Sequence, residues 1–318
     1  MLSQSGRWAT RLASVSAVVV AMALVGPVPR PVVFAQDRPV GQAVPDAAVA
    51  LRRALNAYLT TYEAELGEVT AFEHMTQRVG AYVIGGDEWT GSIGRPRTLE
   101  SDVAFVALPG GAGWLGYRDV IRVNGRPLRR RGGPSLADLL SVTDTIAGDR
   151  ARALLIASAA HNLGAPRTIN LPSLPLEMLH PRHEPQFTIT AFSPRAESIG
   201  GCRGQRLDLS ETARPTLVQR PAGGDMSSRI SAWIEERSGR LCRAEVTTRD
   251  AAAGAGDFET VVAVDFGHDE AVGLTVPVKM REVFYVPPQG RGAGEASYTK
   301  YRRFKTSGRV LPPGARQR

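Results

Sequence analysis

The sequence predicts an α+β fold: one strongly curved antiparallel sheet, a half-open β-barrel, with helices over its concave face. Three observations predict it. The final third holds runs of strict period two, such as Phe258, Thr260, Val262, Val264, Phe266 and Val276, Val278, Met280, Phe284, Val286. Such alternation puts one face in a core and the other in water. No helical segment separates these runs, so they join as a meander and not through parallel crossovers. Helical spacing is confined to the start and the middle of the chain, where it supplies the cover that a curved sheet needs.

The elements follow in order. Arg7 and Arg11 precede an uncharged apolar run, Val15 to Val25, and Val33-Phe34-Ala35 offers small residues before Gln36. This is the grammar of a secretory signal peptide over residues 1–35, cut between Ala35 and Gln36. The run is shorter than the roughly 20 residues that span a bilayer, and no later run is apolar enough to cross one. Export to the periplasm or the medium is expected, and with no Cys after the run, no lipoprotein anchor. A linker, 36–45, leads into a single domain, 46–306, and a disordered tail follows at 307–318. Asp46 reads as an N-cap. Leu51, Leu55, Leu59 and Tyr62 then form one stripe of a helix over Ala47–Leu66, stopped by Gly67. Strands follow at Val69–Val79, Arg97–Leu108 and Trp114–Val123, with turns at Pro109–Gly113 and Asn124-Gly125. Leu136, Leu139 and Leu140 fit a short helix, Asp144–Leu163 a longer one, and Leu174–Leu179 a piece bracketed by prolines. Seven strands complete the chain: Gln186–Phe192, Arg206–Thr212, Arg229–Glu236, Leu241–Thr248, Phe258–Phe266, Val276–Val286 and Glu295–Thr306.

Composition narrows the function. The leader holds three of the 39 basic residues and none of the 31 acidic ones, so 36 face 31 in the exported chain. That surplus is dispersed, whereas nucleic-acid binding needs a concentrated patch; no nucleic-acid partner is expected. The two cysteines, Cys202 and Cys242, pair naturally in an exported chain, two buried thiols being the alternative. Neither has a second Cys or a His at metal-ligand spacing.

No nucleophile elbow, zincin motif or Walker loop is present, so no catalytic residue and no cofactor is assigned. His180-Pro181-Arg182-His183-Glu184 has two histidines three apart, but its prolines make it a turn and not a helix that aligns ligands; it reads as a polar loop. Ser297 and Lys300 spell a β-lactamase-like spacing inside a strand, where the two side chains face opposite sides. Two acids are more informative. Asp119 shares strand parity with Tyr117, and Glu282 with Phe284, on otherwise apolar faces. An acid there is costly unless paired. It is either half of a buried ion pair or a polar anchor in a ligand cavity lined by Tyr117, Phe284 and Tyr298. Keeping apolar faces together, the expected hairpin sets Phe284 opposite Tyr298, Val278 opposite Phe304, Met280 opposite Arg302 and Glu282 opposite Lys300.

Trp233-Ile234-Glu235-Glu236-Arg237-Ser238-Gly239-Arg240 is similar to a hairpin of the lipoprotein-carrier (outer-membrane lipoprotein-sorting, LolA/LolB-like) superfamily. Val276–Glu282 and Gly294–Phe304 resemble its last two strands, and the element order resembles its half-open barrel with helices over the mouth. The phrasing also resembles a set of uncharacterised exported bacterial proteins. The resemblance implies a non-enzymatic protein with an apolar or lipid-like ligand in the hollow. It carries over no ligand-binding residue. A cell-envelope protein-interaction module without a small ligand, and a hydrolase assembled from distant residues, are the alternatives.

Overall fold

The computed structural model describes residues 18–19, 44–80, 94–107, 114–128, 156–164, 167–220, 223–250, 258–286 and 290–304. The cleavage site at Ala35 and Gln36, most of the linker, the helix expected around Leu136 and the tail at 307–318 lie outside those residues. Along the chain run β1 (Val18–Val19), α1 (Asp46–Leu66), β2 (Val69–Gly80), β3 (Arg97–Ala107), β4 (Trp114–Val123) and β5 (Arg126–Pro127). Then come α2 (Leu174–Leu179), a 3-10 turn (Pro181–Gln186), β6 (Phe187–Ile199), β7 (Cys202–Glu211), β8 (Val218–Gln219) and β9 (Asp225–Ile234). The chain ends with β10 (Leu241–Asp250), β11 (Phe258–Asp269), β12 (Leu274–Val286) and β13 (Gly290–Arg303). As expected, the fold is an open, curved, mostly antiparallel sheet with a few helices.

The sheet runs β9-β10-β11-β12-β13-β2-β3-β4-β5, with β7 beside β9 and β6 beside β7. The last strand therefore pairs with the first long one: β13 is antiparallel to β2, Tyr298 facing Glu73 and Gly294 facing Gln77. Residues far apart in sequence thus meet in mid-sheet. The two rims do not join. One is β5, which ends on Pro127; the other is β6, whose register to β7 breaks between Ile189 and Ala191 and again between Ser193 and Glu197, around Pro194. The two-residue β1 lies parallel to β8.

Helix α1 buries its stripe as the spacing predicts: Leu51, Leu55, Leu59, Tyr62 and Leu66 sit in one core cluster with Leu99, Val264, Met280 and Tyr298 of the concave face. Burial of each large apolar side chain contributes about 1.5–3 kcal/mol. The Tyr62 hydroxyl donates to the Thr275 carbonyl at 2.5 Å. Pro45, not Asp46, occupies the N-cap position; Asp46 is the first helical residue, where its charge complements the helix dipole. A second cover, residues 156–164 and 167–186, straps the same face. Residues 156–159 are helical, and Ile169, Leu174, Leu176, Met178 and Leu179 join the core cluster.

Two expectations are corrected. Val278 does not share the buried face of Val276 and Met280: the β11–β12 register breaks between Asp265 and Phe266, and this bulge turns Val278 out to 38% exposure. The β12–β13 register is also tighter than expected. Phe284 faces Gly292, Glu282 faces Gly294 and Met280 faces Ala296. The shift is even, so the face assignment of β13 survives while the partners change. The glycines are the reason. A Cβ at position 292 would collide with the Phe284 ring, and one at 294 would stand 2.6 Å from Glu282 Oε1 and 2.8 Å from the Met75 methyl. Lys300, the expected partner of Glu282, leaves the ladder with φ 55° in an irregular stretch between Thr299 and Arg302. Gly292→Ala and Gly294→Ala are each expected to cost about 1–3 kcal/mol by overpacking, measured as a shift of the urea unfolding midpoint. Unchanged midpoints would mean that the hollow is looser than described.

Candidate functional site

The concave face is apolar at its ends and ionic at its centre. Strand β2 sends Glu73, Met75 and Gln77 inward, and all three are fully buried. Strand β4 contributes Arg118, β12 contributes Glu282, β13 contributes Tyr298, and the strap adds Arg167, Asn162 and Asn170. Two linked clusters result. In the first, Arg118 grips Glu73 with Nε to Oε2 at 2.5 Å and Nη2 to Oε1 at 2.9 Å. The Tyr298 hydroxyl donates to Glu73 Oε1 at 2.9 Å, and Arg118 Nη2 also donates to the Asn170 carbonyl at 2.9 Å. In the second, Arg167 Nη2 lies 3.1 Å from Glu282 Oε1, and its guanidinium stacks over the Phe284 ring, 3.4 Å from the centroid. Gln77 Nε2 donates to Glu282 Oε1 and to Asn162 Oδ1, both at 3.0 Å, while Gln77 Oε1 accepts from the Leu163 amide at 2.7 Å. Asn170 Nδ2 donates to Asn162 Oδ1 at 2.8 Å, and Asn162 Nδ2 to the Arg167 carbonyl at 2.8 Å.

All four charged side chains of the two pairs have no exposed surface. Removing such charges from water is tolerable only because each meets its opposite with further hydrogen bonds. Burial opposes the charge on Arg118, but the Glu73 carboxylate and its hydrogen bonds outweigh that and raise the guanidinium above its ordinary value. Burial, and then the same carboxylate, push the Tyr298 phenol well up, so at neutral pH it is a hydrogen-bond donor. In chemical terms the network is a set of ties between strap and sheet.

The structure brings Glu282, Phe284 and Tyr298 together in the hollow and parts them from Asp119 and Tyr117. The inward residues of β4 are Gly116, Arg118 and Val120, paired with Phe105, Val103 and Ser101. Asp119 and Tyr117 face Asp102 and Ala104 on the other side of the sheet, where both are nonetheless buried. Arg118, Glu73, Gln77, Arg167, Asn162 and Asn170 escaped the sequence reading. Glu73 was findable: it alternates with Val69, Ala71 and Met75, the same signal that singled out Glu282.

His180 and His183 do not converge. His180 Nε2 is 3.1 Å from Glu63 Oε2, and His183 Nε2 is 2.9 Å from Glu177 Oε1. Among the described residues, no group of three or more His, Cys, Asp or Glu is arranged to hold a metal ion. Cys202 and Cys242 are bonded, their Cα atoms 5.5 Å apart, in a small separate cluster with Trp233 and Ile199. A groove of about 660 Å³ lies on the outer face of β2, β13 and β12, lined by His74, Thr76, Arg78, Val278, Lys279 and Glu295 among others. No described helix is long and apolar enough to cross a membrane.

No family model matches this sequence, and no curated protein matches it. Among solved structures, the fold is similar to a LolA superfamily protein from Nitrosomonas europaea, with 9% identity, 82% of this chain and 94% of that chain covered, and a TM-score of 0.34. It also resembles the MucA/MucB complex structure of Pseudomonas aeruginosa, with 6% identity, 81% and 99% covered, and a TM-score of 0.20. These likenesses are too distant to carry an argument about function.

Proposed function

We propose that this chain is an exported, non-enzymatic binding protein that takes an apolar or lipid-like ligand into the hollow of its half-barrel. The observation that supports the reading is the nature of the cover. The inner face of the sheet is not sealed by strands. It is covered by a strap whose apolar side chains, Ile169, Leu174, Leu176, Met178 and Leu179, occupy the hollow as the methylenes of a ligand would. A strap that lifts and repacks on an inserted chain keeps its own burial and loses mainly its polar ties. Insertion of about a dozen methylenes at about 0.8 kcal/mol each contributes roughly 10 kcal/mol. Parting one buried ion pair costs about 3–5 kcal/mol, so a long chain outweighs the ties and a short one does not.

A second reading, a cell-envelope interaction module without a small ligand, is favoured by a different observation: among the described residues the inner face is packed by the protein's own side chains, while a groove lies on the outer face. Native mass spectrometry of the exported protein, before and after incubation with phospholipid vesicles, separates the two. The first reading expects a stoichiometric adduct of acyl-chain mass that Leu176→Glu weakens. A bare polypeptide mass under both conditions would overturn it in favour of the second.

A further inference from the structure

The 3-10 turn that ends the strap is fastened to α1 through a histidine in one defined protonation state. Nδ1 of His180 accepts twice from Arg182, from the side-chain Nε at 2.9 Å and from the backbone amide at 3.3 Å. Arg182 Nη2 then reaches Glu63 Oε1 on α1 at 2.7 Å. An imidazole nitrogen that accepts a hydrogen bond carries no proton, so the arrangement requires neutral His180 with its proton on Nε2. Nε2 in turn lies beside Glu63 Oε2. A second tie, Asn56 Nδ2 to Glu184 Oε2 at 2.7 Å, holds the far end of the turn.

We propose that His180 is an acid-sensitive latch: protonation at Nδ1 expels Arg182 and loosens the 3-10 turn on α1, leaving the Asn56–Glu184 tie as its remaining hold. The proton takes the lone pair that both Arg182 donors use, and it sets two cations face to face. The charged groups around the ring are Glu63 from α1, Glu177 from α2, and Arg182 and His183 from the turn. Glu63 and Glu177 favour the imidazolium; burial and Arg182 oppose it more strongly, so the ring titrates below its ordinary value. The sign follows. A histidine depressed in the folded state binds fewer protons than the unfolded chain, so its contribution is complete above the ordinary histidine range and is lost as pH falls through and below it. Near neutral pH the latch is closed, and acid opens it. The device does not depend on what the hollow binds.

Hydrogen exchange on the full chain tests this, with rates corrected for the intrinsic effect of pH. The amides of Arg182, His183 and Phe187 are expected to open up to about tenfold more often for each pH unit between the ordinary histidine value and the ring's depressed one, while amides of β9 and β10 stay unchanged. His180→Asn provides the key control, since its Oδ1 stands where Nδ1 stood and does not titrate: the turn should remain protected and lose its pH response. His183→Gln should leave the response intact. An imidazole signal for His180 that titrates above the ordinary histidine value, an unchanged turn in acid, or the same response in His180→Asn would each overturn the latch.

Discussion

Arg167→Met lowers the free energy of unfolding by about 3–5 kcal/mol, because it takes from buried Glu282 its cation partner. The expectation rests on geometry: the pair is 3.1 Å apart, and neither side chain has exposed surface. Gln77 and Asn170 would remain as donors, but two neutral amides do not replace a guanidinium. Glu282→Leu should cost a similar amount by stranding Arg167. The double variant, Arg167→Met with Glu282→Leu, should recover most of the loss, since an apolar pair of similar volume is often neutral or better than a buried ion pair. Urea unfolding of the four proteins closes the cycle, and additive losses would show that the two residues do not interact. Lys300→Ala and Arg302→Ala should change stability by no more than about 0.5 kcal/mol, as exposed positions usually do. A larger effect at Lys300 would favour the ladder pairing expected from sequence over the cross-strap pairing described here.

Removing the disulfide, with Cys202→Ala and Cys242→Ala together, is expected to cost roughly 4 kcal/mol by the loop-entropy relation. The two cysteines are 40 positions apart and enclose β7, β8 and β9. The bridge joins the start of β7 to the start of β10, near the Gly200-Gly201 turn that links β6 to β7. Loss of protection should therefore begin in the β6–β7 hairpin, whose backbone ladder to the rest of the sheet runs through β9. Thermal unfolding with and without reductant measures the size of the effect, and hydrogen exchange its place. Trp233 offers a third readout, because it packs in one cluster with both sulfurs; its fluorescence should rise when the quenching bridge is opened. An unfolding midpoint insensitive to reductant would mean that the bridge contributes nothing.

The parts of this fold that were readable from sequence are those set by short-range periodicity. The stripe of α1 and the alternation of β11 each need only a window of a dozen residues, and both are buried as read. Glu282 on an apolar face was readable too, as was its need for a cation. The identity of that cation was not. Arg167 lies 115 positions away on an irregular strap, and no repeat places it opposite β12. The hairpin register failed for a related reason. Apolar matching fixes the face but is blind to an even slip, and the deciding residues were glycines, whose role is the volume they leave for Phe284 and Glu282. The single-residue bulge at Val278 is below the resolution of any alternation argument. The alternation of β4 puts Tyr117 and Asp119 on one side of the strand, but which side looks into the hollow depends on β3, β2 and β13 beyond it.

An unclosed barrel presents two free rims, and a free rim is a template on which copies of the chain could stack into a polymer. Here the β6 rim spoils the template. Pro194 and two breaks of register interrupt the row of donors and acceptors along β6. A second molecule laid along β6 would find its bonds out of step within four residues. The sheet can therefore stay unclosed along β6 without offering that edge as a nucleus for strand addition.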